Sequence, residues 1–99
     1  MTEAALVSRV LKRLSSFGGY WNKNHGSVYV RSGRPDLEGC LEGLYVAIEA
    51  KAPGVVVEKG LSQTQRRHIQ QIRDNGGIAI ASNDEDEIME LLEARLRKS

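Results

Sequence analysis

An α/β fold of order helix, three strands, helix, strand, helix is what this 99-residue sequence predicts, and a few patterns carry that expectation. Apolar residues recur at helical spacing near both ends of the chain. Between them, segments that alternate polar and apolar flank a Glu42-Gly43 turn, as paired strands do. A short apolar run, Ile78-Ala79-Ile80-Ala81, follows a double glycine. The length suits one domain spanning residues 1–99, with a core large enough to need no disulfides. Hydrophobic content of 40% and charged content of 27% are ordinary for a soluble chain and identify no function.

The first helix is expected from Thr2 to about Ser16, with Leu6, Val7, Val10, Leu11 and Leu14 inward and Arg9, Lys12 and Arg13 outward. Glu3 falls near the centre of that apolar stripe. Two readings stand: an acid beside the helix's positive end that reaches water, or an acid aimed at a site. Phe17-Gly18-Gly19 ends the helix. Tyr20–Gly26 reads as a loop or ragged strand, in which Lys23 is either solvated or a phosphate contact and His25 has no second metal ligand at a sensible spacing. Ser27–Ser32 alternates and is expected to be the first strand. Gly33 permits an unusual turn, and Pro35 opens the second strand, Asp36–Leu41, where its missing donor does least harm. The third strand is Leu44–Ala50, with Tyr45, Ala47, Glu49 and Lys51 sharing one face.

Pro53-Gly54 ends that strand, and Val55–Val57 is expected to be a short edge or a loop. Ser62 with Gln65 three residues on matches a helix capping box. Gln65 also leads Ile69 and Ile72 along the inward stripe, so a site role competes with the cap. Arg66, Arg67, His68 and Arg73 lie off that stripe, as a solvated face or as phosphate contacts. Gly76-Gly77 precedes the fourth strand. A last helix is expected from Ser82 or Asn83 to about Arg97, its acids first and its bases last, as the helix dipole prefers.

Net charge of +1 and a pI near 7.9 give no global basic field, so contact with nucleic acid has to come from local clustering. Cys40 is the sole cysteine, which excludes an intrachain disulfide and disfavours a zinc cluster. That fits a reducing, cytoplasmic setting. No apolar run approaches the ~20 residues of a membrane span and the N-terminus lacks a signal-peptide pattern, so a soluble, unexported protein is expected.

The chemistry concentrates between Gly33 and Lys51. If Leu41 pairs with Leu44 across the turn, paired numbers sum to 85 and Asp36 falls opposite Glu49. Directly opposed residues have Cβ atoms about 4.5–5.5 Å apart, where like charges destabilise. Lys51 lies two positions on, on the same face. Two acids and an amine on one sheet face suit a divalent cation with a basic helper.

These residues keep recognisable company: a helix opening with Glu3, the Lys23 stretch, Gly33-x-Pro35-Asp36-Leu37, Ile48-Glu49-Ala50-Lys51, Leu61-Ser62-x-x-Gln65 and Gly76-Gly77. In that order they resemble the PD-(D/E)XK nuclease superfamily, and within it the small stand-alone VRR-NUC domains of phage and bacteria. The resemblance implies a restriction-endonuclease-like αβββαβ core with an additional C-terminal helix. It implies a Mg²⁺- or Mn²⁺-dependent endodeoxyribonuclease, structure-selective for Holliday-junction or other branched DNA, acting as an intracellular, phage-encoded homodimer. Asp36, Glu49 and the Ala50 carbonyl would hold the metal, with Glu3 helping directly or through water. Lys51 would orient the attacking water or stabilise negative charge, and Gln65 would position water or phosphate. Lys23, Arg34, Arg66, Arg67 and Arg73 are the candidate DNA contacts. The competing expectations are a non-catalytic DNA-binding module of the same fold, and a structural network in which Arg34 and Lys51 merely neutralise the two acids.

Overall fold

The structure, a computed structural model, describes residues 1–24 and 34–98. The strand expected over 27–32, with His25 and Gly33, lies outside the described residues. Helix α1 is Glu3–Phe17, capped by Thr2, whose hydroxyl accepts from the Ala5 N–H at 3.1 Å. Strand β1 is Tyr20–Lys23, where a loop or ragged strand was expected. It pairs antiparallel with β2, Leu37–Leu41, setting Trp21 opposite Gly39. The pairing depends on that glycine: a Cβ at position 39 would lie 1.9 Å from the Tyr20 carbonyl oxygen.

The hairpin from β2 to β3, Leu44–Ala50, has the expected register, with Leu41 opposite Leu44 and Leu37 opposite Ile48. Glu42 and Gly43 both take positive φ, 52° and 81°, which matches the right-handed twist of the flanking strands. Val55–Val57 forms no edge strand. Instead Val57–Gly60 makes one helical turn, α2, because β4 already occupies the edge of β3 that such a strand would need. Helix α3, Gln63–Asp74, starts from a complete capping box: Ser62 Oγ accepts from the Gln65 N–H, and Gln65 Oε1 accepts from the Ser62 N–H. Strand β4, Ile78–Ser82, runs parallel to β3 as the crossover through α3 requires, and the sheet order is β1-β2-β3-β4. Helix α4, Glu85–Arg97, is capped by Asp84.

Period-two alternation along β3 divides the sheet into two faces. Val46, Ile48 and Ala50 join Leu6, Val7, Val10 and Leu14 of α1 and Ile88, Met89 and Leu92 of α4 in one apolar core. Arg9 and Arg13 bridge α1 to Glu85 and Asp86 at the start of α4. Helix α3 covers the other face, bearing Ala47 and Glu49, and none of its own residues is fully buried. That looser cover leaves space between α3 and the sheet. Among the described residues no helix is long and apolar enough to cross a membrane.

Candidate active site

Asp36 occupies a bend immediately before β2 and is held on two sides. Its backbone carbonyl accepts from the Asn24 N–H at 2.9 Å, and its Oδ2 accepts from the Ala50 N–H at 2.8 Å. The carboxylate thereby takes the place of the next rung of the β2–β3 ladder. Extending the register by one pair sets Asp36 against Glu49, which is only 5% exposed. Burial, followed by the charge and hydrogen bond of Asp36, pushes the Glu49 carboxyl up to about 8; Lys51 pulls it down and Glu3 adds a small upward push. Two acids thus share a confined space. The Ala50 carbonyl lies on the same side of β3 as the Ala50 N–H, since both groups of one strand residue point the same way, and so faces Asp36.

Lys51 is anchored by its N–H to the Ser82 carbonyl at 2.9 Å, continuing the parallel ladder past β3. Its Nζ donates to Gln65 Oε1 at 3.3 Å. The same oxygen takes the Ser62 N–H at 2.8 Å. One atom of Gln65 thus serves both contacts: the oxygen that caps α3 also accepts from the lysine head.

Glu3 lies exposed in the first turn of α1, close enough for its charge to act on Glu49. Among the described residues no group of three or more His, Cys, Asp or Glu side chains is gathered as a metal-ligand set. The candidate oxygen donors are accordingly two carboxylates and one backbone carbonyl. Mg²⁺ is held by just one or two carboxylates while it retains several waters, so this donor set fits a hard divalent cation.

The basic residues are less uniform. Lys23 is half-buried on β1, and Arg67 is exposed on α3. Arg66 donates to the Glu58 carbonyl, while Arg73 donates to the Ala79 carbonyl through Nε at 3.2 Å and Nη2 at 2.9 Å. Burial, then the nearby Arg95, lowers the Arg73 pKa from its usual value. His68, expected off the inward stripe, is half-buried and faces the sheet with Ile69 and Ile72.

Arg34 pairs with Glu38 rather than bridging Asp36 and Glu49, through Nε at 2.8 Å and Nη2 at 2.6 Å. Glu38 also accepts from the Asn24 amide at 3.0 Å and the Tyr45 hydroxyl at 2.6 Å. Burial alone would raise the Glu38 carboxyl; Tyr45, Asn24 and Arg34 outweigh it and hold the group below its ordinary value. Burial and Glu38 push the Tyr45 hydroxyl up to about 12, so it remains a donor. Sequence reasoning passed over Glu38. The signal was available, because a register sum of 85 sets Glu38 diagonally across from Tyr45 on the face of Asp36 and Glu49.

A solved structure described as a VRR_NUC domain superposes on this chain with a TM-score of 0.71, covering 94% of this chain and 97% of the other at 24% identity. The chain has the fold of a VRR_NUC domain. Agreement across nearly both full lengths includes the restriction-endonuclease-like core of mixed four-stranded sheet and helices. No protein-family model matches the sequence, and no curated protein matches it.

Proposed function

We propose that this chain is a VRR-NUC-type endodeoxyribonuclease that hydrolyses phosphodiester bonds with Mg²⁺ or Mn²⁺. The observation that carries the reading is the pair of opposed carboxylates, Asp36 and buried Glu49, with the Lys51 amine positioned by Gln65 on their side of the sheet. Two facing acids with a single amine on their side of the sheet leave net negative charge that a hard dication neutralises. Asp36, Glu49 and the Ala50 carbonyl would hold it, with Glu3 acting through water. When bound, the cation supplies Lewis acidity at the phosphate and at the attacking water.

The chain's own groups do the rest. Asp36 and Glu49 orient the water against the phosphorus. Lys51, held at Nζ by Gln65, places positive charge where the non-bridging oxygens gain negative charge, and Gln65 keeps that amine from swinging into solvent. Arg67 and Lys23 bind flanking phosphates, with Arg34, Arg66 and Arg73 lending further donors where the duplex approaches them. Likeness to VRR-NUC domains supports a preference for Holliday-junction or other branched DNA and action as an intracellular homodimer, which would present two sites to opposed strands.

The test is cleavage of junction, flap, single-stranded and linear duplex DNA in Mg²⁺ or Mn²⁺. Asp36→Ala and Lys51→Ala are each expected to lower kcat by about 10²–10³, the size of a lost electrostatic stabiliser. Cleavage that survives both substitutions sinks the assignment. The alternative reading is a non-catalytic DNA-binding module of the same fold. Tight DNA binding with no divalent-stimulated cleavage would select that reading.

A further inference from the structure

Beside the carboxylate pair, the space under α3 widens into a cavity of about 310 Å³. We propose that this cavity receives one unstacked nucleobase of the DNA strand whose phosphate lies at Asp36 and Glu49. The inference rests on the nuclease reading above and adds a recognition element to it.

Size separates the two neighbouring spaces that share Pro35. The notch directly against Glu49 holds only about 10 Å³, room for little more than one water. The larger cavity shares Pro35, His68 and Ile72 with that notch and is at the lower end of the range for small-molecule sites. A planar heterocycle fits the second space and not the first.

Charge then selects the ligand. The Arg34 guanidinium is bound by Glu38, and Glu38 also takes the Tyr45 hydroxyl and the Asn24 amide. Among the described residues that line the cavity, Arg34 and Glu38 are matched to each other, so its one ion pair is already satisfied within the chain. Among the described residues, what remains open to a ligand comprises the apolar walls of Pro35 and Ile72, the ring of Tyr45, the imidazole of His68 and the exposed amide of Gln71. An amide that both donates and accepts matches the edge of a base. The Tyr45 ring is 41% exposed yet fixed at its hydroxyl, so it offers stacking surface with little rotameric freedom left to lose.

Position ties the cavity to the scissile bond. Tyr45 and Glu49 are four residues apart on one face of β3, or roughly 13 Å at about 3.3 Å per residue. A base seated there belongs to a nucleotide within a few steps of the cut. Duplex DNA would have to unstack a base to fill the cavity, whereas a junction, flap or single strand presents one at lower cost. The cavity is thus a physical source of preference for branched DNA.

The experiment places an abasic residue at successive positions around the cut in a flap substrate, using the full chain. The native protein is expected to show KM raised about tenfold for one abasic position and unchanged KM elsewhere. Gln71→Ala, on the exposed surface of α3, and Tyr45→Leu are expected to raise KM on the intact flap and to be indifferent to that abasic position, with kcat nearly unaltered. Native cleavage with the same KM at every abasic position overturns the proposal and leaves the nuclease reading standing. Variants whose losses are equal on intact and abasic DNA also overturn it, since they then act through the fold. A native protein that neither binds nor cleaves any of these DNAs overturns both.

Discussion

Replacing Glu49 by Gln in the absence of divalent cations isolates the electrostatic strain between the two acids. The ordinary carboxyl value is 4.5 and burial beside Asp36 raises Glu49 to about 8. Between those values the folded chain holds a proton that the unfolded chain has released, so stability falls as pH rises through that window. Below 4.5 both states are protonated and the effect is absent; above about 8 it is fully developed. The interval, 8 − 4.5 = 3.5 decades in proton affinity, corresponds to roughly 5 kcal/mol as an upper figure, at about 1.4 kcal/mol per decade. Asp36 shares that strain, so part of it persists in any variant that retains Asp36. Gln cannot ionise, and any gain or loss from its amide is a constant offset across pH. Thermal unfolding in EDTA at pH 5 and pH 8.5 should therefore show the Glu49→Gln variant gaining several degrees on the native chain, at about 4–8 °C per kcal/mol in a domain this size. A gap that stays constant between the two pH values refutes the placement of Glu49 as a buried acid facing another.

Other consequences are independent of that one. Gly39→Ala drives a Cβ into the Tyr20 carbonyl and to 2.7 Å from the Trp21 ring, so β1 must separate from β2; a loss of about 2–4 kcal/mol is expected in chemical denaturation, and less than 0.5 kcal/mol would contradict the pairing. Ser62→Ala and Gln65→Ala each remove one half of the α3 cap and should cost about 1 kcal/mol alike, but only Gln65→Ala should also lower kcat, because only Gln65 holds the Lys51 amine. Gly60→Ala places a Cβ 3.2 Å from the Val55 Cγ1 and in ordinary contact with the Lys51 stem, 3.4 Å from its Cδ, so Val55 has to give slightly while Lys51 stays in place; stability and kcat should both change little. Glu38 is held below its ordinary value, so its contribution is present above about 4.5 and is lost as pH falls through the lowered folded value; Tyr45→Phe should weaken the acid dependence of unfolding below pH 4.5.

The hairpin was legible in the sequence because its face is fixed by period-two alternation and its register by a two-residue turn. A slip of one would have moved Glu49 into the apolar core and Ile48 out of it. The α3 cap was equally legible, since Ser62 and Gln65 act locally. Strand β1 was legible only as one of two alternatives, loop or ragged strand: Tyr20–Lys23 is too short to show alternation, and its partner Gly39 contributes no side chain. Helix α2 was hidden for a different reason, as Val55–Val57 has β-branched residues but no strand edge left to pair with. For the candidate site, Asp36 opposite Glu49 followed from arithmetic on the register. The Glu38 network did not emerge, because its meaning depends on Asn24 and Arg34, brought beside it by the β1–β2 pairing. The arginines are the least legible group: side-chain type announces a cation, while only the fold shows that Arg34, Arg66 and Arg73 already serve acceptors of their own chain.

The central claim is that Asp36, Glu49 and the Ala50 carbonyl form one divalent-cation site. Anomalous diffraction from crystals grown with Mn²⁺ tests it most directly. A single strong peak within about 2.0–2.4 Å of a carboxylate oxygen from each acid and of the Ala50 oxygen, absent from Asp36→Ala crystals, is the result expected for a hard cation on oxygen ligands. No peak between the two carboxylates at millimolar Mn²⁺, or a peak that remains when Asp36 is removed, would contradict the account.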